Sequence, residues 1–214
     1  MRSRRKIPQH GIEHQEALKQ LAAFAAGDAN YRDSKIWSLV YDLGEAHTSF
    51  LKEAYGLYFC ENALNPLAFK SLKRMETEVV QMTAGLLNGD DRVSGVMTSG
   101  GTESCLLPVF ACRERARKLR RLPIKPEMIA PETIHVAWEK AAKYFDVKMV
   151  RAPVDENFCA DPKAMERLIN RNTILLLASA PSYPHGAIDP IPALGELALR
   201  YNLPLHVDAC LGGF

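Results

Sequence analysis

The sequence has almost no excess charge of either sign: 27 Lys and Arg against 25 Asp and Glu leave a formal net charge of +2. That balance gives no electrostatic case for nucleic acid as a partner. Long apolar runs are missing as well. The basic cluster "MRSRRK" at 1–6 is not followed by the apolar stretch a signal peptide or membrane anchor requires. It reads as a solvated tail, with no transmembrane segment. The five cysteines (Cys60, Cys105, Cys112, Cys159, Cys210) are odd in number and never spaced C-x-x-C. Neither a disulfide framework nor a thiolate zinc site is suggested, no metal is expected, and a reducing cytoplasm is the simplest compartment. Cys210 reads as a small buried hydrophobe rather than a nucleophile. Absent too are the Gly-Lys-Ser/Thr of a Walker loop, the G-x-G-x-x-G of a dinucleotide fold, any internal repeat and any low-complexity linker.

What is present is a composition of 47% hydrophobic and 24% charged residues over 214 positions, enough for a soluble domain with a real core. Ala17, Leu18, Leu21, Ala22 and Ala25 mark one face of a short helix that Gly27 is placed to end. From Pro66 to Gly89, Leu72, Met75, Val79, Met82 and Leu86 recur at steps of three and four, which predicts a long amphipathic helix. The rhythm then changes. Predicted strands at 95–98, 127–130, 147–151, 173–179 and 205–208 alternate with predicted helices at 103–119, 135–145, 162–170 and 192–201. Asp161 before Pro162 is a suitable N-cap with proline in the first turn. Pro108 falls inside a helical pattern, where it removes a hydrogen bond and predicts a kink. The alternation argues for an α/β layer with a mainly parallel sheet and flanking helices.

Four segments hold groups able to do chemistry. "VMTSGGTES" at 96–104 reads as strand, glycine turn and helix start. Gly100 and Gly101 leave backbone N–H groups uncovered and Thr102 adds a hydroxyl, which makes either an anion site for a phosphate or a plain strand-to-helix turn. His206 and Asp208, two apart on a strand, leave the same face. Asp208 reads as a turn aspartate, a metal ligand beside His206, or a counter-ion for a cationic ligand. His135 begins a helix, either as an exposed capping residue or with its ring over the sheet end that carries the glycine turn. The proline-rich stretch "SAPSYPHGAIDPIP" at 179–192 follows a buried strand, where an open α/β sheet places ligand loops; alternatively it is a rigid connection, with His185 and Asp189 shaping turns. A phosphate cradle, a planar ring and a carboxylate at one sheet edge match the three handles of pyridoxal phosphate.

Six stretches in order carry a resemblance: "AYGLYF", "FKSLKRMETEVVQMTAGLLNG", "GVMTSGGTES", "PETIHVAWEKAAKYF", "INRNTILLLASAPSYPHGAIDP" and "LPLHVDACLGGF". Together they resemble the sphingosine-1-phosphate lyase family, among the pyridoxal-phosphate-dependent decarboxylases of the aspartate aminotransferase fold. The resemblance implies that Gly100, Gly101 and Thr102 hold the cofactor phosphate, that His135 stacks on the pyridine ring, and that Asp208 pairs with the protonated ring nitrogen. Tyr41 and Asn62 align with residues that contact the substrate phosphate. Asn65 stands in "NALNP" where family members carry histidine, and it lacks the charge to favour a phosphate dianion. The implied substrate is therefore an amine or amino acid left open in kind.

The family's Schiff-base lysine lies downstream of the aspartate, so no catalytic nucleophile is assigned in this chain. The resemblance implies an N-terminal helical entry segment at 1–65 and a partial cofactor-binding large domain at 66–214, truncated before that lysine and before the C-terminal small domain. The full-length protein is expected to be a cytoplasmic homodimer. The expected function is part of a carbon–carbon lyase or decarboxylase. The alternatives are an inactive fragment or split subunit that needs another chain, and an unrelated nucleotide-binding α/β module.

Overall fold

A computed structural model describes residues 6–33, 36, 39–120 and 125–214. Of the basic cluster at 1–6, only Lys6 falls among them. The chain forms two units, Met1–Asn65 and Pro66–Phe214.

The first unit contains helix α1 (His14–Ala25), a single 3-10 turn at Tyr31–Asp33 and helix α2 (Glu45–Leu57). α1 stops just short of Gly27, as its apolar spacing predicts. α2 starts where Gly44 takes a φ of 88°, with its N–H donated to Asp42 Oδ1 at 3.0 Å, a turn that aims the chain into the helix. Arg32 Nη2 donates to Glu45 Oε2 at 3.1 Å in the first turn of α2, where an acid is favoured by the helix dipole. None of the described residues of this unit is buried, and Leu18, Leu21, Phe24, Phe50 and Tyr55 are exposed.

The second unit opens with α3 (Lys70–Leu86) and α4 (Gly101–Arg120). It then alternates through β1 (Glu127–Pro131), α5 (Ala137–Phe145), β2 (Lys148–Ala152), α6 (Pro162–Leu168), β3 (Thr173–Ser179), α7 (Ile191–Arg200) and β4 (Leu205–Asp208). The strands form one parallel sheet in the order β2-β1-β3-β4. Each strand's period of two divides its side chains between two cores. Met128, Ala130, Leu175 and Leu177 pack with Cys105, Val109, Trp138 and Ala141 on the α4/α5 side. Ile129, Leu176 and Ala178 pack with Met165, Leu194 and Leu197 on the α6/α7 side. β3 is buried along its whole length, as expected of a central parallel strand covered on both faces.

The chain leaves β1 for β2 on one side and then crosses to β3 on the other, so the direction of winding reverses between β1 and β3. In open α/β sheets such a reversal opens a crevice at the carboxyl ends of the strands. Pro131, Ser179 and Asp208 end their strands at that edge.

The fold differs from the sequence reading in three respects. The segment at 95–98 is not a strand, so the described residues form four strands rather than five. With Val96 and Met97 exposed and the Met97 N–H donated to Glu76 Oε1 of α3 at 3.1 Å, a side chain takes the hydrogen bond a sheet ladder would have used. α2 has no counterpart in the predicted elements, while α4 runs through Pro108 as a single helix. The apolar stripe of α3 is present as read, but Met75, Val79, Met82 and Leu86 are all exposed. The N-cap at α6 forms as expected: Asp161 Oδ1 accepts the Lys163 N–H at 2.8 Å ahead of Pro162.

Candidate active site

The glycine turn is built around a carboxylate. Glu103, in the first turn of α4, reaches back so that Oε2 accepts the Ser99 N–H at 2.7 Å and the Ser99 hydroxyl at 2.6 Å. These bonds, the hydroxyl first, hold the Glu103 carboxyl below the usual carboxylate range. The arrangement is a capping box displaced by one residue. The Thr98 hydroxyl donates to the Gly100 carbonyl at 3.1 Å and lies 2.7 Å from Ser104 Oγ. A Cβ built on Gly100 or Gly101 meets nothing within 4 Å, so the space in front of the turn is open. The first N–H groups of α4, from Gly101 and Thr102 onward, have no intrahelical acceptor and carry the positive end of the helix dipole. Their chemistry suits an anion.

Asp208 ends β4, half-buried. Its carbonyl accepts the Ala180 N–H at 2.8 Å, which ties it to the residue following β3. Its Oδ1 accepts the Cys210 N–H at 3.3 Å and its Oδ2 accepts the Trp138 indole N–H at 3.4 Å. His206 packs against the same indole, with ring centroids 4.8 Å apart at 62°. His206 and Asp208 therefore do share a face, and Trp138 lines it. Burial pushes the His206 imidazole below its ordinary range, against the pull of Asp208, so the ring is neutral at pH 7. The Cys105 thiol, on α4 one turn beyond the glycine pair, is pushed up to about 12 by burial and then by Asp208 and Cys210. That coupling brings the start of α4 and the end of β4 into one electrostatic neighbourhood. Cys105 is too poor a thiolate source to act as a nucleophile.

Cys210 corrects the sequence reading: it is exposed rather than buried. The turn it occupies follows β4, an outer strand of the sheet. Gly212 in the same turn is required by packing, because a Cβ there would run into the Ala180 carbonyl oxygen.

His135 lies two residues ahead of α5, which begins at Ala137. Its Nδ1 accepts the Ala137 N–H at 3.1 Å, leaving the ring proton of the neutral form on Nε2. The ring is exposed and meets Tyr183 edge-on at 6.4 Å. Arg151 fixes this turn: Nη1 donates to the Glu132 carbonyl at 2.8 Å, and Nη2 donates to Glu139 Oε1 at 2.6 Å. In the loop after β3, Asp189 is buried, accepting the N–H groups of Ser179 at 2.7 Å and Ala160 at 2.8 Å. His185 stacks on Phe158 at 4.5 Å. Both are structural, in keeping with the turn-shaping alternative.

Gly100, Gly101, Thr102, His135 and Asp208 thus all belong to the second unit, the glycine turn at the start of α4, His135 just ahead of α5 and Asp208 at the end of β4. Tyr41, Asn62 and Asn65 belong to the first unit. There Tyr41 is exposed, and Asn62 Oδ1 accepts the Leu64 N–H at 3.0 Å in a local turn. Among the described residues no group of three or more His, Cys, Asp or Glu could hold a metal ion. The sequence reading missed Trp138. It sits among Ala137, Ala141 and Ala142 on the core stripe of α5, and only the need of a buried indole N–H for an acceptor hinted at a polar role.

An open α/β sheet with a glycine turn at a helix start, an exposed imidazole and a strand-end carboxylate has the chemistry of a domain suited to a phosphorylated ligand. Residues 49–214 match the pyridoxal-dependent decarboxylase conserved domain, and the chain belongs to that family. It is 42% identical over 208 residues to sphingosine-1-phosphate lyase 1 of Mus musculus, covering 97% of this chain and 36% of the relative. It is 44% identical over 219 residues to sphingosine-1-phosphate lyase of Oryza sativa subsp. japonica, covering 99% of this chain and 40% of the relative. The solved sphingosine-1-phosphate lyase of Burkholderia pseudomallei superposes with a TM-score of 0.86 at 36% identity, over 99% of this chain and 50% of that one. Glutamate decarboxylase of Lactobacillus brevis, at 23% identity and a TM-score of 0.83, shares the fold. The chain spans between a third and two fifths of the length of these curated relatives. Pyridoxal phosphate is the cofactor of this lineage. No helix among the described residues is long and apolar enough to cross a membrane.

Proposed function

We propose that this chain is the cofactor-anchoring part of a pyridoxal-phosphate-dependent carbon–carbon lyase or decarboxylase that acts on an amine or amino-acid substrate. The residues present fit the cofactor. Open space stands in front of Gly100 and Gly101 at a helix N-terminus, where a phosphate gains from the dipole and from uncovered N–H groups. Among the described residues, Asp208 has one donor on each oxygen, which leaves acceptor capacity on both for a protonated ring nitrogen. The exposed ring of His135, anchored through Nδ1, is free to stack.

When bound, the cofactor supplies an electron sink for the bond that breaks. In this reading the chain's own residues bind and orient: Gly100, Gly101 and Thr102 take the phosphate, His135 covers the ring, and Asp208 keeps its nitrogen protonated. Tyr41, Asn62 and Asn65 are proposed to contact substrate. Asn65 can donate a hydrogen bond but brings no charge, which favours a substrate without a phosphate dianion at that position.

The observation that carries the reading is Asp208, a strand-end carboxylate with no cation bonded to it among the described residues. It is tested by titrating the chain with pyridoxal phosphate and with ATP, for the wild type and for Asp208→Ala. Cofactor binding that drops at least 100-fold in the variant, with no ATP binding, is expected, because removing one partner of a desolvated charge pair costs about 3–5 kcal/mol. ATP binding that is indifferent to Asp208 would sink the proposal.

A second copy of the chain is the proposed cover for the apolar stripe of Met75, Val79, Met82 and Leu86 on α3, giving a homodimer. The free state of all five cysteines supports a cytoplasmic setting.

A further inference from the structure

The carboxylate of Asp208 is held from behind by a residue the mechanism has not yet used. Trp138 is 0% exposed, and its indole N–H is a donor with no acceptor capacity of its own. A buried indole N–H finds a partner, and here the partner is Asp208 Oδ2 at 3.4 Å, seventy positions along the chain. The indole cannot swing away. Ala137, Ala141 and Ala142 bury the same face of α5, and the His206 ring packs against the indole at 4.8 Å. The Cys210 N–H holds the other oxygen, so the two donors together set the rotamer of the carboxylate.

We propose that Trp138 is a positioning residue: its indole N–H fixes the orientation in which Asp208 meets the cofactor's ring nitrogen. A phenyl ring at 138 would fill most of the same slab without supplying the donor. The chemistry of the N–H, and not aromatic bulk alone, is what the site uses. The inference rests on the assignment of Asp208 to the ring nitrogen.

The test uses the full chain and reads cofactor affinity by calorimetry and by the absorbance of the bound cofactor. Trp138→Phe is expected to weaken pyridoxal phosphate binding about 3- to 10-fold, the range for the net loss of one typical hydrogen bond, as suits a long contact to a half-buried carboxylate, and to shift the absorbance maximum. An analogue placed at position 138, with sulfur in place of the indole nitrogen, keeps the shape and is expected to weaken binding equally. That variant guards against a loss of folding in Trp138→Phe. The same replacements are expected to leave affinity unchanged for the deaza cofactor, in which carbon replaces the ring nitrogen, because that ligand has nothing to offer Asp208.

Unchanged affinity for pyridoxal phosphate in both replacements, with binding still lost in Asp208→Ala, overturns the role of Trp138 and leaves that of Asp208 standing. Equal losses for the natural and deaza cofactors mean general loosening and overturn it too. A wild-type chain that binds no cofactor, or an Asp208→Ala chain that binds as well as wild type, removes the assignment of Asp208 and the role of Trp138 with it.

Discussion

Replacing Asp189 by asparagine should destabilise the second unit nearly as much as replacing it by alanine. The two oxygens of Asp189 are committed to different backbone donors: Oδ1 to the Ala160 N–H at 2.8 Å and Oδ2 to the Ser179 N–H at 2.7 Å. An asparagine has one carbonyl oxygen, so it can satisfy only one of them and turns an N–H₂ group toward the other. A buried donor left without its acceptor costs about 1–3 kcal/mol, more when the lost acceptor is charged. Asp189→Asn should therefore cost about 3 kcal/mol, or roughly 6–12 °C in Tm for a chain of this size.

The carboxyl is also held above its ordinary range, by burial first, against the lowering effect of its two N–H donors. The folded state then binds more protons than the unfolded state between the ordinary and the raised value. Stability from this group is greatest below the ordinary aspartate range and declines as pH rises through that window, the reverse of a salt-bridged aspartate. Urea unfolding of wild type and Asp189→Asn across acid pH reads both effects. An asparagine variant within 0.5 kcal/mol of wild type, or wild-type stability that rises across that window by the same amount in both proteins, would refute the reasoning.

Two further outcomes follow from the same elements. Gly212→Ala puts a methyl group into the Ala180 carbonyl oxygen and should cost about 1–3 kcal/mol in thermal unfolding; a variant as stable as wild type would show that the turn yields freely. His206, lowered chiefly by burial, is neutral in the fold, so its contribution to stability is present above the ordinary histidine value and is lost as pH falls through the lower folded value. Replacing it with phenylalanine should flatten the acid limb of stability between those values, as followed by melting across pH 4–7.

What could be read from sequence and what could not divide along a physical line. β3 begins and ends where its apolar run does, because a parallel strand covered on both faces needs nothing but continuous hydrophobic side chains. The helix at α6 was legible because Asp161 and Pro162 form a cap within three residues. α2 was not, since its Phe50, Leu51 and Tyr55 bury nothing in their own unit and its start depends on the φ of Gly44. The segment at 95–98 resembled a strand because sequence alone cannot say that Glu76 has taken its hydrogen bond. At the candidate site, the glycine turn and Asp208 carry local signatures. The link from Trp138 to Asp208 joins residues seventy positions apart, and a tryptophan on a core stripe gives no sign of where its N–H points.

The main chain grips Asp208 from both sides: its carbonyl takes the Ala180 N–H, and the Ala180 carbonyl oxygen presses on Gly212 four residues later. The side chains of Ala209 and Cys210 have no part in that main-chain grip. Libraries randomised at those two positions should thus alter the turn beyond the strand while the carboxylate stays in register, which makes them the natural place to begin retuning what the site accepts.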